Sequence, residues 1–288
     1  MTDSLKTLSE HRCFGGIQRF HEHDSREIGL PMRFSVFLPP QAESGPVPAL
    51  VYLAGLTCNE ETFMIKAGAQ RLAAELGLAL IAPDTSPRGT GPEGIEGATA
   101  SWDFGIGAGF YLDATAAPWD EYWRMESWIV NELLPLATHG MPIDGKRIGI
   151  FGHSMGGHGA LTLALRHPGR FRSLSALAPI CAPTQCPWGQ KAFRGYLGGD
   201  DEIWLAHDAC ALMQSQTAPP YPAGILVDQG LVDKFLAEQL HPHLFEAACR
   251  AAGQPLTLRR HEGYDHGYYF IQTFIGDHLA HHAKVLKA

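Results

Sequence analysis

Short apolar runs that end in Gly, Pro or Asp recur along this chain, and stretches with helical spacing separate most of them. RFSVFLPP from Arg33, ALVYLAG from Ala49, ALIAPD from Ala79, RIGIFG from Arg147, LSALAPI from Leu174, GILVDQG from Gly224 and LTLRRHEG from Leu256 each read as a strand. ETFMIKAGAQRLAAELG from Glu61, DEYWRMESWIVNELLPLA from Asp120, MGGHGALTLALRH from Met155, FLAEQLHPHLFEAACRAAG from Phe235 and YYFIQTFIGDHLAHHAKVL from Tyr268 read as helical. Strands alternating with helices imply an α/β fold with a mainly parallel central sheet flanked by helices on both faces. CFGGIQRFHEHD from Cys13 and RFSVFLPP have no helix between them, so an antiparallel hairpin is expected at the sheet edge. No linker or internal repeat interrupts the 288 residues, and residues 1–288 read as a single domain.

Charge and leader signals narrow the function classes. A formal net charge of −8 and the lack of any Lys/Arg cluster argue against nucleic acid as a partner. MTDSLKTLSEHRCFGG lacks the apolar core of a signal peptide, and no later stretch is long and uncharged enough to span a bilayer, so no membrane partner and a cytoplasmic location are expected. The six cysteines lack the density of a disulfide scaffold and are expected to be reduced. Cys181 and Cys186 have no second close pair to complete a metal site.

The least regular region runs from Thr85 to Asp120, and a loop of that length is expected to be a functional loop or a lid. Its GIGAGF lacks the spacing, the incoming strand and the outgoing helix of a dinucleotide motif.

Chemistry enters at Gly152-His153-Ser154-Met155-Gly156, which follows the apolar RIGIF and precedes a helical stretch. Strand, sharp turn and helix are the context of a nucleophile elbow, so the α/β-hydrolase fold is the expected architecture. Small residues flank the serine because a side chain there would crowd the turn. The turn also aims the first helix amide, that of Met155, at a developing oxyanion.

A serine hydroxyl needs a base, and in this fold the order is Ser, acid, His. His266 lies in the loop between the last strand and the last helix and is favoured over His261, at the strand's end. His153 and His158 are read as elbow packing. His278, His281 and His282 raise a metal-ligand reading against that of a solvated helix end, and the absence of an accompanying carboxylate motif favours the latter. The acid is Asp228 or Asp233 in GILVDQGLVDKFL. Position leaves them nearly even, with a lean to Asp233 because the loop carries it farther toward the histidine. The second oxyanion donor is expected from VYLAGLTCNEETF, at the Leu56 amide, which places Cys58 near the site either as a buried small residue or as a pocket thiol.

With these residues placed, the chain resembles the S-formylglutathione hydrolase (esterase D) family over nearly its whole length. The strings that carry the resemblance are HRCFGGIQRFHEHDS, LAGLTCNEETF, APDTSPRG, SWDFGIGAGFYLDAT, FGHSMGGHGAL, APICAPTQCPWGQKAF, DQGLVDKFL and EGYDHGYYFI. Ala54 and Ile106 stand where serine and threonine are common in that family. The resemblance implies a Ser154, Asp233 and His266 triad, a cysteine at Cys58 beside the serine, and hydrolysis of S-formylglutathione to glutathione and formate, the step of glutathione-dependent formaldehyde detoxification. It also implies activity on simple acetyl esters and a homodimer, and neither a metal nor an organic cofactor is called for. A narrow acyl pocket walled by Trp102, Phe104, Phe110 and Trp188 is expected to favour the formyl group. Lys66, Arg88 and Lys191 are candidate cations for the carboxylates of glutathione. A broad short-chain carboxylesterase or acyltransferase, and a non-catalytic binding protein on the same fold, are the alternatives.

Overall fold

The computed structural model describes residues 5–288. Nine strands form one sheet: β1 (Lys6–Cys13), β2 (Gly16–Asp24), β3 (Pro31–Leu38), β4 (Val47–Leu53), β5 (Ala79–Pro83), β6 (Ile143–His153), β7 (Ser173–Leu177), β8 (Ile225–Gly230) and β9 (Leu256–His261). Their order is β1-β2-β3-β5-β4-β6-β7-β8-β9. The β1, β2 and β3 pairings are antiparallel, and every pairing from β5 to β9 is parallel. β4, β5, β7 and β8 are buried at every position, and β4 and β5 accordingly read as near-continuous apolar runs instead of alternating ones.

The expected hairpin is the β2–β3 pair, but it sits one strand in from the edge. β1 lies outside it, and with only Leu8 among the large aliphatic residues of KTLSEHRC and most positions exposed, it carries no periodic signal. The helical stretch from Glu61 is split into Thr62–Lys66 and Gln70–Leu76, since Gly68 between them takes a φ of 68°. Residues 125–140 are helical, with a π turn over Trp128–Leu133 immediately ahead of Pro135. That widening accommodates a residue whose ring and missing N–H a regular turn would not tolerate.

The last helix, Tyr268–Leu286, is where the sequence reading fails. Its histidines are not a solvated helix end: His278 and His282 are fully buried and His281 is partly so. Asp228 can only accept, so His278 donates to it from Nε2 (3.1 Å), and its Nδ1 accepts from Ser175 Oγ (2.7 Å). Ser175 Oγ has spent its proton, so it accepts from His282 Nε2 (2.8 Å), whose Nδ1 accepts from Ser173 Oγ (2.6 Å). This one-way chain ties the last helix to β7 and β8. Asp228 is closed further by Arg259 (2.5 and 2.6 Å) and by His261 (3.1 Å). Burial alone would raise the Asp228 carboxyl, but the Arg259 guanidinium together with His278 and His261 hold it well below the usual range.

Several histidines are buried where a charged ring is unwelcome. Burial pushes His21 and His158 down to about 4 and His207 to about 3, and drives His153 and His282 well below their ordinary value. Each has a folded value below its unfolded one, so the unfolded chain takes up protons first as pH falls below about 6.5, and stability falls with it. Thermal unfolding at pH 5 should therefore occur at least about 5 °C below that at pH 7.5. A melting temperature unchanged across that interval would mean that these rings accept protons inside the folded protein.

Candidate active site

The elbow is held by sterics on both sides. β6 ends at His153 and the helix Met155–Arg166 follows with only Ser154 between them, at φ 58° and ψ −118°. A Cβ at Gly152 would lie 2.1 Å from the Gly156 carbonyl oxygen, and one at Gly156 would lie 1.9 Å from that of Leu53. No side chain fits at either position, so the sequence Gly-x-Ser-x-Gly is a packing requirement before it is a chemical one. The Ser154 amide donates to Leu177 O (3.0 Å), and the Ser154 carbonyl accepts from His158 (3.0 Å) and Ile180 (3.2 Å). These bonds hold a non-glycine residue in the left-handed region. Ser154 is only 2% exposed.

Two loops at the carboxyl ends of β8 and β9 bring an acid and a base together. His266 Nδ1 donates to Asp233 Oδ2 at 2.5 Å. The carboxylate also accepts from Gln229 Nε2 (3.2 Å) and from the Phe235 amide (2.8 Å). A donating Nδ1 leaves Nε2 of His266 as the basic nitrogen. Asp228, the other candidate acid, is fully engaged by Arg259, His261 and His278, and His261 is thereby committed as well, stacked 3.7 Å from Phe274. His153 packs against His266, ring centroids 4.4 Å apart, and its burial and that neighbour keep it neutral. His158 packs beneath Phe110 and Phe193, so both elbow histidines are packing residues, as expected.

The loop after β4 crosses beside the serine. A Cβ at Gly55 would sit 3.2 Å from Ser154 Cβ and from His153 Nδ1, so a side chain there would press on both. The Thr57 amide donates to Gly107 O (2.9 Å) and that of Cys58 to Gly55 O (3.3 Å). Met155 is the first residue of its helix, where an amide has no intrahelical acceptor. Cys58 is partly buried, and burial pushes its thiol up, in the direction away from a reactive thiolate.

The four aromatic candidates separate into two groups. Trp188 lies edge-on to Trp102 (5.4 Å) and against Phe235 (4.6 Å), which in turn stands edge-on to His266 (5.0 Å). Trp102 is 53% exposed, so this row runs inward from the surface to His266. Phe104 and Phe110 instead pack inward, Phe104 on Tyr196 and Trp119 and Phe110 on His158. Among the described residues neither has a ring contact with His266 or Trp188. Phe235 and Gln229 escaped the sequence reading, although both lie within the DQGLVDKFL string that contains Asp233.

Two of the three candidate cations are taken. Arg88 forms an ion pair with Asp84 (2.7 Å), and Lys191 with Asp103 and the Ser101 hydroxyl. Lys66 is exposed, with Nζ 5.7 Å from the Tyr268 ring. The long loop is tied to the body, for Gly105 and Gly107 donate to the Tyr196 and Ser86 hydroxyls (both 2.8 Å) and Tyr196 donates to Ala108 O (2.9 Å). No helix among the described residues is long and apolar enough to cross a membrane.

Residues 25–281 match the family model described as "Putative esterase". The chain is 54% identical over 285 residues to an S-formylglutathione hydrolase of Rattus norvegicus, covering 99% of each chain. It is 49% identical over 286 residues to one of Paracoccus denitrificans, covering 99% of this chain and 100% of that one. A solved S-formylglutathione hydrolase from Agrobacterium tumefaciens superposes with a TM-score of 0.94 at 46% identity, covering 98% of this chain and 99% of that one.

Proposed function

Since the chain belongs to the S-formylglutathione hydrolase family of esterases, we propose that it hydrolyses S-formylglutathione to glutathione and formate, with Ser154 as nucleophile, His266 as base and Asp233 as the acid that orients it. The observation that carries this reading is the 2.5 Å bond from His266 Nδ1 to Asp233, with the His266 ring 4.4 Å from that of His153, the residue before a serine held at a left-handed φ of 58°.

In this mechanism the Ser154 proton passes to His266 Nε2 as Oγ bonds to the formyl carbon. The carbonyl electron pair moves onto oxygen, where the Leu56 and Met155 amides receive it. The Leu56 assignment is supported by its neighbours, since the amides of Thr57 and Cys58 are already spent on Gly107 and Gly55. Collapse restores the carbonyl and breaks the C–S bond, and His266 returns the proton to the leaving sulfur. Water then attacks the formyl-serine, giving its proton to His266, and Ser154 recovers a proton as formate leaves.

Formyl carries only hydrogen on its carbonyl carbon, so the wall made by Phe235, Trp188 and Trp102 excludes longer acyl groups by volume. Lys66 is the cation best placed to meet a glutathione carboxylate, since Arg88 and Lys191 are held by Asp84 and Asp103. A cytoplasmic location accords with six free cysteines. A one-domain chain accords with the single sheet, and a homodimer with the family resemblance. Light scattering should return twice the 31.4 kDa chain mass, and a monomer at micromolar concentration would remove the dimer from this account.

Substrate and nucleophile are tested together by measuring kcat/KM for S-formylglutathione and p-nitrophenyl acetate on one preparation. The thioester should be preferred by orders of magnitude, and Ser154→Ala should lower kcat on both by about 10⁴-fold or more. Comparable rates on the two substrates would leave a general esterase.

The two aspartates should separate cleanly. Asp233→Asn is expected to lower kcat by about 10³- to 10⁴-fold with little loss of stability. Asp228→Asn should lower the melting temperature, because it removes the buried carboxylate that gathers Arg259, His261 and His278 and leaves Arg259 only Asp277, and should change kcat far less. If Asp228→Asn instead gave the large loss in kcat at an unchanged melting temperature, the acid would have been misassigned.

A further inference from the structure

Thr57, in the loop after β4, has a φ of 69°. A β-branched side chain is strained in that left-handed region and persists there only where its surroundings over-determine the backbone. On one side the Thr57 amide is held by Gly107 O, and Gly107 is held in turn through its own amide by the Ser86 hydroxyl. On the other side the next carbonyl, that of Cys58, accepts from Thr85 Oγ1 (2.5 Å) and from Arg88 Nη2 (3.1 Å). Arg88 is itself clamped by Asp84 through two parallel bonds, Nε to Oδ2 (2.7 Å) and Nη2 to Oδ1 (2.9 Å), and Asp84 Oδ1 also accepts from the Thr85 amide (2.6 Å). Asp84 is almost fully buried, so the clasp is anchored in the body of the protein at the end of β5.

We propose that Arg88 is a positioning residue for the reaction. With Asp84 and Thr85 it grips the Cys58 carbonyl, holds Thr57 in its strained conformation, and thereby fixes the preceding Leu56 amide toward the developing oxyanion. This rests on the functional reading above, in which that amide is a donor. A guanidinium can bridge carboxylate and carbonyl at once because its donors are a rigid planar fork. A lysine presents one point charge and cannot hold both in register.

Arg88 also lines a cavity of about 400 Å³ with Asn59, Glu60, Asp84 and Ser86, and its side chain is 37% exposed, so a small planar cation from solution can reach the clasp. The experiment is the steady-state hydrolysis of p-nitrophenyl acetate by wild type, Arg88→Ala, Arg88→Lys and Thr85→Val, with Ser154→Ala as control. Loss of the clasp should lower kcat by about 10²-fold in Arg88→Ala, the scale set by a displaced catalytic donor, with KM changed less than about threefold. Arg88→Lys should not restore it, and Thr85→Val should lower kcat in the same sense. Guanidinium chloride at sub-denaturing concentration should return at least tenfold of the activity to Arg88→Ala and none to Thr85→Val or Ser154→Ala.

A folded Arg88→Ala with kcat within about threefold of wild type would overturn the proposal. So would a loss in kcat that tracks a lowered melting temperature and does not respond to guanidinium. If Arg88→Ala does not fold, a Thr85→Val enzyme with wild-type kcat would overturn it equally. Failure of the underlying reading would look different, since Ser154→Ala would then retain its turnover of the ester whatever happened at Arg88.

Discussion

The contact between the Leu53 carbonyl and Gly156, across which no Cβ can stand, is the constraint on which the rest of the site depends. It lets the helix after β6 begin directly against the end of β4. That proximity produces the left-handed serine, the first helix amide without an intrahelical acceptor and the passage of the β4 loop beside the serine. A methyl group at either elbow glycine would separate these elements and disperse all three features. The chemistry is thus a consequence of how closely two parallel strands and one helix pack at their shared edge, and the side chains that act there are added to a geometry already set by the backbone.

Much of this was readable from the sequence because the physics is local. The parallel strands announce themselves as short apolar runs because they are buried on both faces, and the elbow announces itself because its glycines are sterically obligatory. What was not readable depends on residues distant in the chain. Asp228 and Asp233 stand five residues apart on the same excursion, and what distinguishes them is that Arg259, His261 and His278, from β9 and the last helix, converge on the first and not the second. No local pattern reports that convergence. His278 and His282 were misread for the same reason: their partners, Ser173 and Ser175, lie more than a hundred residues earlier.

Other departures have similarly specific causes. β1 escapes notice because a strand exposed on both faces has no hydrophobic periodicity to display. Phe104 and Phe110 were drawn into the pocket by their position in an irregular loop, but the bonds of that loop to Tyr196 and Ser86 turn their rings inward. Phe235 stands edge-on to His266. Irregular backbone does not indicate which side chains face the solvent, and the loop's hydrogen bonds decide it.

The buried chain from Ser175 through His278 to Asp228 has the residue types, order and hydrogen bonds of a charge-relay triad, yet its members are sealed beneath the sheet. The protein therefore carries a second Ser-His-Asp set besides the one proposed above, and the two aspartates come from the same strand-and-loop unit. Ser154 differs from Ser175 in standing on a strained turn at the start of a helix. The buried copy is an internal control: the same functional groups remain mere architecture when nothing can diffuse to them and no dipole waits for the charge.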